Sequence, residues 1–92
     1  MSELRREITI VNQRGLHARA SAKFVNAVSQ LPEGCTVKIA KDGSEAAGGS
    51  ILGLMMLGAA KGDTIELIVS GDNDEAAFGE LSALIEDGFG EE

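Results

Sequence analysis

The sequence predicts an α+β fold: a four-stranded antiparallel sheet with three helices on one face, in the order βαββαβα. Three observations predict it. Apolar residues alternate with polar ones in short segments, they recur at helical spacing in others, and the alternating segments keep one face polar. A sheet with one polar face needs cover on the other only, and the helices supply it. At 92 residues with 43% hydrophobic content, residues 1–92 form a single domain with one small core.

Glu7-Ile8-Thr9-Ile10-Val11 alternates polar and β-branched residues and reads as the first strand, followed by a loop from Asn12 to Gly15. From Ala18 the period changes. Ala20, Phe24, Ala27, Val28 and Leu31 form one stripe on a helix, and Pro32-Glu33-Gly34 stops it. Cys35, Val37 and Ile39 alternate with Thr36 and Lys38 in a second strand. Asp42-Gly43 is a hairpin signal, so a short third strand is expected at Glu45 to Ala47.

Gly48-Gly49-Ser50 opens a short apolar helix, with Ser50 as N-cap and Gly58 near its end. Asp63 to Ser70 returns to alternation, with Ile65, Leu67 and Val69 on one face. Gly71-Asp72-Asn73 turns into the last helix, whose first turn carries Asp74 and Glu75, where negative charge complements the helix dipole. Its stripe is Ala77, Phe78, Leu81, Leu84 and Ile85, and Gly88 is its stop. Only the Glu91-Glu92 end lacks an ordering signal.

Composition narrows the function classes. Eight Lys and Arg against fifteen Asp and Glu give a net charge of −7, which argues against nucleic-acid binding and favours partners with basic docking surfaces. With no Trp or Tyr and only three Phe, the core is aliphatic. The lone Cys35 cannot form an internal disulfide and reads as a buried strand thiol in a reducing compartment. The N-terminus lacks the apolar stretch of a signal peptide, and Ile51 to Ala60 is far short of the ~20 residues of a membrane span. A cytoplasmic monomer without membrane insertion is expected.

The chemistry concentrates at His17, in the run Gly15-Leu16-His17-Ala18-Arg19-Ala20 where strand gives way to helix. A lone histidine there is often just a polar loop residue. Its surroundings argue for more: a helix start presents free N–H groups, Ala18 and Arg19 among them, and Arg19 adds a cation suited to phosphate. Only the neutral imidazole has a lone pair to give a phosphoryl group. A metal site is not expected, since there is no second histidine and the cysteine lies elsewhere. Nothing calls for a cofactor.

Ser50 is a helix cap, and a phosphoserine there would place about −1.5 to −2 charges where a helix tolerates them. The helix after it, Ile51-Leu52-Gly53-Leu54-Met55-Met56-Leu57, is apolar all round. Leu52, Met55 and Met56 are therefore either core or an adaptable docking patch that phosphorylation would switch.

The two runs together, Gly15-Leu16-His17-Ala18-Arg19-Ala20 and Gly49-Ser50-Ile51-Leu52-Gly53-Leu54-Met55-Met56-Leu57, resemble the phosphocarrier HPr family of the bacterial phosphoenolpyruvate-dependent phosphotransferase system. The likeness spans essentially the whole chain. It implies an open-faced β-sandwich, and His17 as an acceptor that takes a phosphoryl group from enzyme I on Nδ1 and passes it to a IIA protein or domain. Arg19 would assist transfer. Ser50 would be the regulatory serine, a substrate in some bacteria for an HPr kinase/phosphorylase. Three departures stand out: Ala20 replaces a frequent proline, Gly49 replaces a basic residue, and the charge of −7 is high. They suggest a variant branch serving nitrogen-related regulation rather than sugar uptake.

Two other classes of function compete with the relay. One is a regulatory binding protein whose output is docking of the Leu52, Met55 and Met56 patch. The other is a small acid–base enzyme pairing His17 with a carboxylate. The intact His17 favours the relay, with a covalent phosphohistidine.

Overall fold

Four strands and three helices follow one another as β1 (Glu3–Thr9), α1 (Ala18–Ser29), β2 (Cys35–Lys41), β3 (Ser44–Ala47), α2 (Ile51–Met56), β4 (Thr64–Gly71) and α3 (Asp74–Glu86), with a closing 3-10 turn at Gly88–Gly90. The structure, a computed structural model, describes residues 3–71 and 74–91. The expected turn residues Asp72 and Asn73, and Glu92, lie outside them. The strands pair antiparallel in the order β1-β4-β2-β3, so the second and fourth strands form the middle of the sheet.

One face of the sheet carries Ile8, Val37, Ile39, Ala46, Ile65, Leu67 and Val69, all buried. Against it pack Ala20 and Phe24 of α1, Leu54 of α2, and Ala77, Leu81 and Ile85 of α3 in one continuous core. These are the alternating and helical positions that the sequence marks. The open-faced α+β architecture is the one expected. At the β2–β3 hairpin, Asp42 (φ 51°) and Gly43 (φ 85°) both take positive φ, the paired geometry that suits a two-residue hairpin.

Several boundaries differ from expectation. The first strand starts at Glu3 and ends at Thr9 rather than spanning Glu7 to Val11, because it pairs along the full length of β4, from Glu3 opposite Ser70 to Thr9 opposite Thr64. Its charged early residues sit on the open face: Arg5 reaches Glu66 across the sheet at 3.0 Å. Ile68, opposite both Arg5 and Lys38, is 3% exposed although it belongs to that open face by alternation. Its position between two long side chains, whose aliphatic stems can cover an apolar neighbour, fits that burial. Cys35 is half-buried at the first position of β2 rather than fully buried.

The chain end departs most. Residue 91 reads as part of a loose tail, yet the segment after α3 is anchored. Phe89 is 1% exposed and its carbonyl accepts a hydrogen bond from Lys23 Nζ at 3.0 Å. Gly88, Phe89 and Gly90 all take positive φ, so the chain winds left-handed back over the start of α1. A left-handed phenylalanine costs about 1–2 kcal/mol, which burying its ring offsets.

Candidate functional site

His17 is where the first helix begins. Its backbone is extended (φ −78°, ψ −177°), its carbonyl accepts from Ser21 N–H at 2.9 Å, and its ring caps the helix, Nδ1 accepting from the backbone N–H of Arg19 at 3.3 Å. Ala18 is the first helical residue, and its N–H belongs to the set that has no carbonyl partner within the helix.

Gly15 makes this placement possible. It sits at φ +61°, and a Cβ on it would lie 2.2 Å from the Ala59 carbonyl oxygen. That same carbonyl accepts from Leu16 N–H at 3.0 Å, so the chain leading to His17 is pressed against the chain leaving α2. Leu16 is buried and plugs into the core, holding the next residue at the surface rim. The His17 side chain is 21% exposed, half-sheltered yet reachable.

The other ring nitrogen faces the chain end. His17 Nε2 lies 2.8 Å from Glu91 Oε2, and Glu91 Oε1 accepts from Asn12 Nδ2 at 3.1 Å. Asn12 is 4% exposed and its Nδ2 also donates to the Gly15 carbonyl at 2.8 Å, so its amide is held in one orientation. The Glu91 carboxyl is held below the usual carboxylate range. The Asn12 hydrogen bond contributes most; partial burial opposes it, and the hydrogen bond and charge of His17 and the charge of Lys23 act with it.

Gln13, Arg14, His17, Arg19, Lys23, Gly90 and Glu91 line an open hollow of about 510 Å³. Three of the eight cationic residues of an acidic chain thus meet here, against one carboxylate. The hollow is locally basic on a molecule of net charge −7. It offers a helix N-terminus, guanidinium and ammonium groups and an imidazole, a set suited to a small phosphorylated anion.

His17, Ala18 and Arg19 are therefore brought together as the sequence suggests. Arg14, Lys23, Asn12 and Glu91 are additions that sequence reading missed. The one available signal was Gly88-Phe89-Gly90, an aromatic residue between glycines in a chain with three Phe, which marks an anchor near the C-terminus.

Ser50 stands apart from the hollow. It caps α2, its Oγ accepting from Gly53 N–H at 3.0 Å. The alternative left open for α2 is decided by burial. Leu54 is fully buried, whereas Leu52 (67%), Met55 (41%) and Met56 (77%) are exposed, so these three form surface and not core.

Known proteins match nearly the whole chain. Residues 4–87 match the family model described as the PTS HPr component phosphorylation site. The phosphocarrier protein HPr of Neisseria meningitidis serogroup B is 47% identical over 88 residues, covering 96% of this chain and 97% of that protein. The phosphocarrier protein NPr of Shewanella violacea is 37% identical over 91 residues, covering 99% and 98%. Among solved structures, HPr-C-His from Thermoanaerobacter tengcongensis superposes with a TM-score of 0.87 at 39% identity, over 100% of this chain and 99% of that one.

Proposed function

The chain belongs to the HPr phosphocarrier family of the phosphotransferase system, and from that premise we propose that it accepts a phosphoryl group from enzyme I on Nδ1 of His17 and passes it to a IIA protein or domain. The observation that carries the assignment to Nδ1 is the Arg19 N–H directed at that nitrogen. A backbone N–H can only donate, so Nδ1 holds a lone pair rather than a proton when the ring is neutral.

Transfer then runs as follows. The Nδ1 lone pair forms a bond to phosphorus while the donor's bond to phosphorus breaks and its electrons leave with the donor. The proton on Nε2 stays in place. Arg19, with Arg14 and Lys23 around the hollow, balances the phosphoryl oxygens, and the N–H groups of Ala18 and Arg19 contribute as a helix start does, at about 0.3–1 kcal/mol. Such modest stabilisation suits a carrier that must also release its cargo. Onward transfer is the same exchange in reverse, with the acceptor's nucleophile attacking phosphorus and His17 leaving neutral.

The exposed Leu52, Met55 and Met56 serve as the docking patch for both partners. Among the described residues, no helix is long and apolar enough to cross a membrane, and the relay is read as monomeric and cytoplasmic, needing no cofactor. Phosphorylation of Ser50 by an HPr kinase/phosphorylase would add charge beside that patch and weaken docking of an apolar partner. Incubation with phosphoenolpyruvate and enzyme I tests the reading. The wild type should gain an acid-labile phosphoryl group and His17→Ala should not; an unlabelled wild type, or an equally labelled variant, contradicts it.

A further inference from the structure

We infer that Glu91 is a positioning residue for this transfer: it fixes His17 in the Nε2–H tautomer and so leaves Nδ1 as the nucleophile. The inference rests on the reading of His17 as acceptor. Its geometry is a chain of hydrogen bonds with a fixed direction. The Asn12 amide is oriented by the Gly15 carbonyl at 2.8 Å and donates to Glu91 Oε1 at 3.1 Å. Glu91 Oε2, which has no proton to give, faces His17 Nε2 at 2.8 Å, so Nε2 must be the donor. From the other side the Arg19 N–H claims the lone pair of Nδ1.

The carboxylate is delivered to this place by the fold. Phe89, buried in the core, and the Lys23 bond to its carbonyl hold the chain two residues before Glu91. The Glu91 side chain is 18% exposed, nearly as sheltered as the imidazole it meets. When Nδ1 bonds to phosphorus with Nε2–H retained, the ring becomes cationic, and the carboxylate stands against that new charge. No proton has to leave, and the phosphoryl group occupies the ring nitrogen that Glu91 does not touch.

Glutamine at position 91 makes a sharp test because it is nearly isosteric. Asn12 Nδ2 still requires an oxygen, so the amide of Glu91→Gln would keep its oxygen there and turn its NH2 toward the imidazole. An NH2 facing Nε2 asks for a lone pair there in competition with the Arg19 N–H at Nδ1, so the ring population shifts towards the tautomer with its proton on Nδ1. Glu91→Asp keeps the acceptor-only character with a shorter reach.

Nitrogen-15 spectra of the His17 ring in the unphosphorylated protein, taken where the imidazole is neutral, read the tautomer with no phosphoryl donor present. The wild type should show a protonated Nε2 and a bare Nδ1, Glu91→Gln a measurable shift of the proton towards Nδ1, and Glu91→Asp a return towards the wild-type pattern. With enzyme I as donor, Glu91→Gln should lower the maximal transfer rate about tenfold or more and leave KM unchanged, since Glu91 acts through His17. A wild-type ring protonated on Nδ1, a Glu91→Gln spectrum identical to the wild type's, or unchanged transfer kinetics in that variant overturns the inference. The two readings fail separately: an unlabelled wild type removes the acceptor role but leaves the tautomer result standing, whereas a labelled wild type with an indifferent Gln variant removes only the positioning role.

Discussion

Gly15 and Ala59 approach so closely that a Cβ on residue 15 would sit 2.2 Å from the Ala59 carbonyl oxygen. That contact joins the segment carrying His17 to the segment leaving α2, and it tolerates no side chain. Gly15→Ala is expected to lower stability by at least the roughly 1–2 kcal/mol of a left-handed non-glycine residue, with the clash added. Urea unfolding measures the loss. Phosphorylation of the folded fraction should also slow, because His17 shifts with the loop; a variant matching the wild type in both would show that the approach is not required.

The C-terminal anchor predicts a second outcome. Phe89 is 1% exposed at the core's edge, so Phe89→Ala should destabilise the fold by about 3–5 kcal/mol, the range for emptying a buried aromatic site. It should also disturb the His17 ring resonances, since residues 89 to 91 bring Glu91 to the imidazole. Stability loss without any change at His17 would mean that Glu91 finds the ring unaided.

Acid should loosen the same contact. The Glu91 carboxyl is held below the usual range, chiefly by the Asn12 hydrogen bond. A depressed folded-state value means that its stabilising contribution is complete above the unfolded carboxylate range and is lost as pH falls through the folded value. The stability gap between wild type and Glu91→Gln should therefore shrink as pH falls through and below the ordinary carboxylate range. A gap that widens across that acid range would carry the wrong sign.

The proposed docking patch gives a prediction with little stability component. Met56 is 77% exposed, so Met56→Glu should change stability by no more than about 0.5 kcal/mol. If the patch receives partners, the variant should raise KM for phosphorylation by enzyme I while the maximal rate holds. An unchanged KM would remove Met56 from the interface.

Substitution at Ser50 separates the cap from the proposed switch. Ser50→Ala removes the oxygen that accepts from Gly53 N–H and should cost about 1 kcal/mol. Ser50→Asp keeps a capping oxygen, so its stability should recover while its added charge weakens transfer from enzyme I. Normal transfer in Ser50→Asp would leave Ser50 as a cap alone.

What the sequence made legible was what local periodicity encodes. The α1 stripe through Ala20 and Phe24, the alternation of Ile65, Leu67 and Val69, the Asp42-Gly43 hairpin and the Ser50 cap all depend on neighbours a few positions away. His17 and Arg19 were legible for the same reason, as one short run at a helix start. Glu91 was not, because it meets His17 from 74 positions along the chain and follows a left-handed turn that no periodicity announces. Lys23 was hidden likewise, because the carbonyl it bonds belongs to Phe89, 66 positions along the chain. Ile68 lay on the polar face of its strand, and its place between Arg5 and Lys38 emerges only from the cross-strand register.

If His17 carries a phosphoryl group between two proteins, a single-turnover chase should follow that group on to this chain and off it again. The protein is labelled from phosphoenolpyruvate and enzyme I, freed of both, and mixed with a IIA protein of the sugar or the nitrogen-related chain. An acid-labile label attached at Nδ1 of His17 should leave for one of these acceptors, with unphosphorylated protein regenerated. A label that is acid-stable, that persists in His17→Ala, or that stays on this chain with every IIA acceptor would rule out the relay.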